Sequence, residues 1–266
     1  MSSVIAKMSK LLTDPAYALE ALCHRYLNHR NRHSYDFFKN GESDLLAKVA
    51  TIRPEIVFDV GANVGDWSSI AHDLFPQATV HCFELSERTF STLTRNISGA
   101  HFVLNNAGLS DKLGIFDYKD YGPDSGVNTL LLNATVHDQK IQPTLVKANL
   151  LTGNYYCRDH MIEKIDFLKI DVEGAEHLVL RGFSNLLEHK AVRIIQFEYG
   201  YTNGDSKFLM RDFYQFFKDY GYTLARVQKG PLSFREWTYS DNDFKSGPNY
   251  VAIRADDTQV LQLLSH

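Results

Sequence analysis

The sequence of 266 residues predicts an α/β domain in which a mostly parallel β-sheet carries helices on both faces. From residue 55 onwards, short apolar runs alternate with helical patterns. These runs are apolar on both sides, which is typical of strands buried inside a parallel sheet. The chain length suits one sizeable core with a modest extension.

An N-terminal extension is predicted for residues 1–52, ahead of a domain that spans 53–266. Apolar residues recur in the extension at helical spacing, as in Leu19, Leu22, Cys23 and Tyr26. The pair at 40–41, Asn-Gly, is a turn signal, and Ser43 is a plausible N-cap for the short helix that follows. The extension is therefore expected to be mainly helical.

Charge and cysteine content exclude several classes of protein. The net charge of -4 and the pI near 6.2 argue against a nucleic-acid partner. A basic cluster at 24–33, HRYLNHRNRH, is either a solvated helix face or a docking surface, through which the N-terminal helices would form a homo-oligomer or associate with an acidic membrane. Three scattered cysteines, no signal peptide and no transmembrane run favour a cytoplasmic protein.

Seven strands are expected in the domain. The predicted runs are EIVFDV (55–60), TVHCFEL (79–85), HFVLNNAGL (101–109), IDFLKIDV (165–172), VRIIQFEY (192–199), YTLARVQ (222–228) and NYVAIRA (249–255). Helical patterns separate most of them. The last two runs have no clear helix between them, which predicts an antiparallel pair at one edge of the sheet.

Residues 110–160 interrupt this alternation. Several Gly and Asn, with Tyr118, Tyr121, Tyr155 and Tyr156, predict β-hairpins and loops between the third and fourth strands. Ligands of open α/β sheets bind at the carboxyl ends of the strands. We therefore expect a β-rich insertion over the active site, with surface decoration as the alternative. Four residues lie in segments that are expected to overhang the site: Asn128, Arg158, Tyr201 and Trp237.

The turn after the first strand, DVGANVGDW, is the predicted cofactor loop, with contacts from Asp59, Gly61, Ala62, Asn63, Gly65 and Trp67. Its two glycines allow a tight turn that brings backbone amides close to a ligand. Asn63 replaces the middle glycine of a dinucleotide fingerprint. The carboxylate of Asp59 suits a ligand with an ammonium group better than a pyrophosphate.

Two later strand ends complete the predicted cofactor pocket. Glu84, with Leu85 beside it, is placed to bind two ribose hydroxyls, although a surface charge is the alternative. Asn106 and Ala107 are placed to face an adenine, with an ordinary Asx turn as the alternative. Together these features describe a nucleoside with an amino-acid tail and no phosphate, which is S-adenosylmethionine.

At this point the sequence resembles the FkbM-type methyltransferases. The pieces that match are NGE (40–42), VFDVGANVGDWS (57–68), CFE (82–84), NNAGLSD (105–111), FLKIDVEGAEHLVLRG (167–182), QFEYG (196–200) and PNYVAI (248–253). The first 39 residues lie outside the shared pattern. The resemblance implies a Rossmann-like, seven-stranded class I fold. It also implies methyl transfer to oxygen, often on sugars, polyketides or other natural products.

The stretch DFLKIDVEGAE carries the predicted catalytic groups. Asp171 is expected at the strand end beside the cofactor's sulfonium, and Asp171 or Glu173 is the preferred general base. Lys169 would orient these carboxylates or contact the acceptor, and Glu198 would complete the cluster. His177 is a weaker candidate that is expected on an exposed helix face. A buried ion-pair network is the structural alternative.

A metal site is the less favoured interpretation of these acids. Asp171, Glu173, Glu176 and Glu198 are hard oxygen ligands, but the cationic Lys169 argues against a divalent ion among them. The sequence thus predicts an S-adenosylmethionine-dependent O-methyltransferase that acts on a small molecule or glycan. An N-methyltransferase and a non-catalytic cofactor-binding scaffold are the alternatives.

Overall fold

A computed structural model describes residues 13–30, 34–122, 125–133, 142–242, 244 and 248–266. Its strands are β1 (Ile56–Val60), β2 (Thr79–Phe83), β3 (Phe102–Asn105), β4 (Gly108–Leu109), β5 (Gly114–Asp120), β6 (Thr144–Leu151), β7 (Ile165–Ile170), β8 (Val192–Glu198), β9 (Tyr222–Arg226) and β10 (Asn249–Arg254). Its helices are α1 (Pro15–Arg30), α2 (Phe37–Asn40), α3 (Glu42–Ala50), α4 (Asp66–Leu74), α5 (Glu87–Asn96), α6 (Gly153–Asp159), α7 (Glu176–Gly182), α8 (Ser184–Glu188), α9 (Thr202–Ser206), α10 (Met210–Asp219) and α11 (Thr258–Ser265). Within these ranges, none of the helices combines the length and apolarity that crossing a bilayer requires.

The main sheet has seven strands in the order β3-β2-β1-β7-β8-β10-β9. β1, β2, β3, β7 and β8 run parallel to one another. β10 is antiparallel to both of its neighbours and lies between β8 and the edge strand β9. The predicted α/β fold with a mostly parallel sheet and an antiparallel pair at one edge is confirmed.

Helices cover both faces of the sheet, because alternate residues of each strand enter two separate cores. Phe58 and Leu168 pack on one face with residues of α6, α7, α8 and α10. Val57 and Phe167 pack on the other with residues of α3, α4, α5 and α11. All six residues of β7 are buried, so this strand is covered on both faces as the sequence predicts.

The N-terminal extension divides into two parts in the structure. Leu19, Leu22 and Tyr26 belong to α1 as predicted, but each is more than half exposed. α3 instead contributes Leu45 and Leu46 to the core of the main sheet. The N-cap of α3 is Gly41 rather than Ser43, so the predicted cap is wrong. Residues 1–12 and the end of the basic cluster, 31–33, lie outside the described residues.

The insertion between β3 and β7 contains a second sheet in the order β4-β6-β5, followed by α6. β5 and β6 form an antiparallel pair, although more than 20 residues (121–143) separate them along the chain. Tyr155 and Tyr156 were expected in hairpins or loops but lie in α6, where Thr152 provides the N-cap. Tyr156 is buried against the sheet, which explains why a helix forms there.

Candidate active site

A cavity of about 460 Å³ opens at the carboxyl ends of the central strands. Its wall is formed by the turns that follow β1 and β7, the ends of β2 and β8, the start of α9, the segment 125–128 and Tyr35. The volume is within the range of small-molecule sites. The position agrees with the rule that open α/β sheets bind ligands beyond the carboxyl ends of their strands.

The turn after β1 brings two strand ends into close contact. Gly61 has φ +87°, and a Cβ on it would lie 1.8 Å from the backbone oxygen of Asp171. Only glycine permits this approach between the ends of β1 and β7. Asn63, also at positive φ, donates its backbone N–H to Glu84 Oε2 at 3.0 Å. The turn therefore connects β1 to both neighbouring strand ends.

Glu84 is held at the end of β2 by backbone donors. Its Oε2 accepts from Asn63, and its Oε1 accepts from the Ser86 backbone N–H at 2.8 Å. Burial raises the pKa of Glu84 to about 7 even though these hydrogen bonds oppose the shift. Each carboxylate oxygen keeps a further lone pair, so the side chain can accept hydrogen bonds from two adjacent hydroxyls. Leu85 lies beside it on the cavity wall.

Lys169 lies beneath the cavity floor and is 6% exposed. Its Nζ lies 3.1 Å from Asp171 Oδ2, 3.5 Å from Asp59 Oδ1 and 5.5 Å from the ring centroid of Trp67. Burial opposes its charge, but Asp171, Asp59 and Glu42 together raise the pKa of Lys169 above its ordinary value. Burial likewise opposes the charge of Asp171, but Lys169 lowers its pKa below the usual value. Lys169 and Asp171 therefore form a charged pair.

Three carboxylates meet on the cavity wall. One oxygen from each of Asp171, Glu173 and Glu198 lies within 4.8 Å of the others. Burial and the charge of Asp171 raise the pKa of Glu173 to about 8 and that of Glu198 well above its ordinary value. Glu173 has φ +55°, and its backbone oxygen accepts from Thr129 Oγ1 at 2.8 Å. Such a strained backbone is common at functional sites.

The same oxygens are near enough to hold a divalent cation. Lys169 already neutralises Asp171 at 3.1 Å, so a second cation at this carboxylate would face direct repulsion. The distances allow a metal ion, whereas the charge of Lys169 opposes one. That the site works without a metal therefore stays a prediction.

Three residues of the predicted cofactor loop lie below the cavity rather than on its wall. Asp59 is fully buried, accepts from Ser68 Oγ at 2.6 Å and pairs with Lys169, so we reassign it from ammonium contact to support of the lysine. Trp67 stacks on Phe167 with ring centroids 5.7 Å apart. Gly65 is the N-cap of α4. None of the three lines the described wall of the cavity.

Three further residues were predicted to contact the cofactor but do not line the described wall of the cavity: Ala62, Asn106 and Ala107. Asn106 supports the site indirectly, because its amide donates to the Glu84 backbone oxygen at 3.0 Å. His177 was expected on an exposed face, but it is 8% exposed and stacks on Phe208 at 4.9 Å. The expectation of exposure is wrong because Phe208, just before α10, covers this face of α7. His177 does not line the cavity.

Two of the four overhanging residues, Asn128 and Tyr201, line the cavity, whereas Arg158 and Trp237 do not. The sequence interpretation missed Tyr35, which enters the wall from the N-terminal extension. No local pattern marks Tyr35, since only the tertiary fold brings it to the strand ends.

The cavity wall contains polar atoms without hydrogen-bond partners and several carboxyl groups. Both features suit a nucleoside with a cationic tail. Among the described residues, Asn63 Oδ1 and Asn128 Nδ2 are buried without a hydrogen-bond partner. Buried polar groups normally have partners, so these two atoms are available to hydrogen-bond a ligand. Glu84, Asp171, Glu173 and Glu198 line the cavity without any described Lys, Arg or His. This excess of carboxylate favours a positively charged ligand.

A profile of the family described as "Methyltransferase FkbM domain" matches residues 59–224, which is more than half of the chain. The chain belongs to this family. Members of the FkbM family use S-adenosylmethionine, and the matched range contains every carboxylate that lines the described cavity.

Curated relatives of the chain are also methyltransferases. It is 30% identical over 158 residues to the 31-O-demethyl-FK506 methyltransferase FkbM of Streptomyces tacrolimicus, covering 49% of this chain and 60% of that protein. It is 26% identical over 164 residues to the hexuronic acid methyltransferase AglP of Haloferax volcanii, covering 60% of this chain and 64% of that protein. The alignment thus spans less than two thirds of either relative.

Among solved structures, the chain is similar to the methyltransferase FkbM from Methylobacillus flagellatus KT. The two share 14% identity and a TM-score of 0.43, over 75% of this chain and 43% of that one.

Proposed function

We propose that the protein is an S-adenosylmethionine-dependent O-methyltransferase that methylates a hydroxyl of a sugar, a glycan or another small natural product. The main support for this function is the acidic cavity at the strand ends, in which Glu173 lies beside the charged Lys169–Asp171 pair. Membership of the FkbM family supports the reaction class. The two relatives are named for methylation of 31-O-demethyl-FK506 and of a hexuronic acid, which supports a hydroxylated acceptor.

Bound S-adenosylmethionine supplies an electrophilic methyl group on a positively charged sulfur. We assign its ribose hydroxyls to Glu84, whose two oxygens are held in place by backbone N–H groups. Asn63 Oδ1 and Asn128 Nδ2, which lack partners among the described residues, provide one further acceptor and one further donor for the ligand. Asp171, kept ionised by Lys169, faces the cationic part. These contacts hold the donor for in-line attack, an effect worth up to about 7–11 kcal/mol.

Glu173 is the general base in this proposal, in preference to Asp171. A base is most effective when its pKa lies near the working pH, and the pKa of Glu173 is raised to about 8. Asp171 has the opposite shift, because Lys169 stabilises its charged form at 3.1 Å. Glu173 therefore accepts the proton of the acceptor hydroxyl, while Lys169 and Asp171 position the cluster.

The test is methyl transfer to a panel of hydroxylated acceptors, with cofactor binding measured separately by calorimetry. Glu173→Gln should lower the rate by about 10²–10⁴-fold while the protein still binds cofactor. Glu236→Gln is the matched control, since Glu236 is exposed and pairs only with Lys218 at the surface. Turnover confined to amines would support an N-methyltransferase instead. Cofactor binding without turnover on the whole panel would support the scaffold.

A further inference from the structure

Two tyrosines form the mouth of the cavity. Tyr35 and Tyr201 both line it, yet they are 63% and 56% exposed. Both line the same cavity as the carboxylates. Burial raises the pKa of the Tyr35 hydroxyl, and the neighbouring Glu198, Tyr201 and Glu173 raise it further. Tyr201 also packs against Phe244, with ring centroids 5.5 Å apart, which supports the position of its ring. The two tyrosines therefore place aromatic surface in the same cavity as Glu173, the proposed base.

The titratable carboxyl groups of the same wall face no described basic residue. Glu84, Asp171, Glu173 and Glu198 line the cavity, and the described part of its wall contains no Lys, Arg or His. The nearby Lys169 is buried beneath the floor and already pairs with Asp171 and Asp59. Where Glu84, Glu173 and Glu198 are ionised, an anionic group on the acceptor would therefore meet net negative charge from the described wall, in a partly desolvated cavity where charges interact strongly.

Asn128 adds a donor on the same wall. It is 8% exposed, and its Oδ1 accepts from the Tyr121 backbone N–H at 2.9 Å. Its Nδ2 is consequently directed elsewhere and has no partner among the described residues. A neutral oxygen of the bound ligands can accept this hydrogen bond without bringing negative charge to the carboxylates.

We propose that the acceptor is a neutral or amine-bearing glycoside whose ring packs on Tyr201, and that uronic acids and phosphorylated sugars are excluded. The inference rests on the proposed function, and it adds the charge class of the substrate. The apolar C–H face of a sugar ring loses its contact with water against an aromatic ring. An amine on the same sugar gains from both the carboxylates and the ring face.

The experiment uses the full chain saturated with S-adenosylhomocysteine at alkaline pH, where Glu173 is ionised. Three probes are titrated by ligand-observed NMR: methyl β-D-glucopyranoside, the corresponding methyl glucosaminide and the corresponding methyl glucuronide. The neutral and amine-bearing probes should bind at least about tenfold more tightly than the glucuronide. Tyr201→Ala should weaken binding of the neutral probe by about three- to tenfold. Tyr239→Ala, at a tyrosine that is 84% exposed and outside the cavity, should have no effect.

Glu173→Gln provides a second check, because it removes one of the repelling charges and should narrow the gap between the glucoside and the glucuronide. Equal or tighter binding of the glucuronide would overturn the inference, and so would a failure of all three probes to bind the loaded protein. Neither result concerns cofactor binding or methyl transfer to other hydroxyls, which are measured separately. Failure to bind S-adenosylhomocysteine at all would instead remove the proposed function, and the inference with it.

Discussion

Binding of the cationic cofactor should be coupled to loss of protons from the cavity wall. In the free protein, the pKa of Glu173 is raised to about 8 and that of Glu84 to about 7, chiefly by burial. Below these values the carboxyls are protonated, whereas a sulfonium favours the ionised form. Affinity should therefore rise with pH and level off above about pH 8.

The size of the effect follows from these two shifts. Ionising Glu173 at about pH 6 costs about 2.7 kcal/mol, since one pKa unit corresponds to about 1.4 kcal/mol. The upper limit for Glu173 is thus a roughly hundredfold change in affinity, and Glu84 adds up to about tenfold.

Calorimetric titrations across this pH range, in two buffers with different ionisation enthalpies, measure both the affinity and the protons released. S-adenosylhomocysteine is the control ligand, because it keeps the ribose but lacks the positive sulfur. Its affinity should show only the smaller dependence that Glu84 contributes. Glu173→Gln should remove the larger dependence for S-adenosylmethionine. Equal pH dependence of the two ligands would show that Glu173, the proposed base, does not lie close to the sulfonium.

Three further variants examine the site. Glu84→Ala should weaken cofactor affinity by about 1.5–3 kcal/mol, because a charged acceptor for the ribose is lost; calorimetry measures this, and unchanged affinity contradicts the assignment. Asp171→Asn should depress turnover in the methyl-transfer assay and weaken binding of the cationic cofactor, because the carboxylate that faces its charge is lost, so normal turnover with unchanged affinity would remove Asp171 from the site. Lys169→Met should lower the free energy of unfolding in urea by about 3–5 kcal/mol, since it leaves buried carboxylates unpaired. The exposed Lys218→Met is its control, and equal losses for the two would argue against the network.

The strands and their order along the chain could be predicted because their signals are local. The run IDFLKIDV shows buried apolar residues on both sides, and β7 is entirely buried. Errors arose where a distant segment decides the outcome. Tyr155 and Tyr156 look like hairpin residues, yet the helix that contains them is stabilised by burial of Tyr156 against the sheet. His177 is covered by Phe208, which is far from it in sequence.

The candidate site shows the same division. Asp59 and Asp171 both follow from the sequence as acids at the ends of neighbouring strands, and β1–β7 register pairs Asp59 with Lys169. Their burial differs because Asp171 lies two residues beyond Lys169, the register partner of Asp59, and so reaches the cavity wall, whereas Asp59 lies within β1. The two acids therefore have different roles, although their local sequence contexts are similar.

By itself, the sequence determined the fold class and the presence of Glu84, Asp171, Glu173 and Glu198 at the carboxyl ends of strands, because periodicity and turn chemistry are local properties. The family followed from the resemblance of its motifs to those of the FkbM-type methyltransferases. Only the tertiary structure decided which of the predicted groups line the cavity and which lie beneath it. It also brought Tyr35 and Asn128 to the wall from segments outside the sheet. The physical reason is that the burial and pKa of a carboxylate depend on neighbours that chain folding brings together, not on adjacent residues in the sequence.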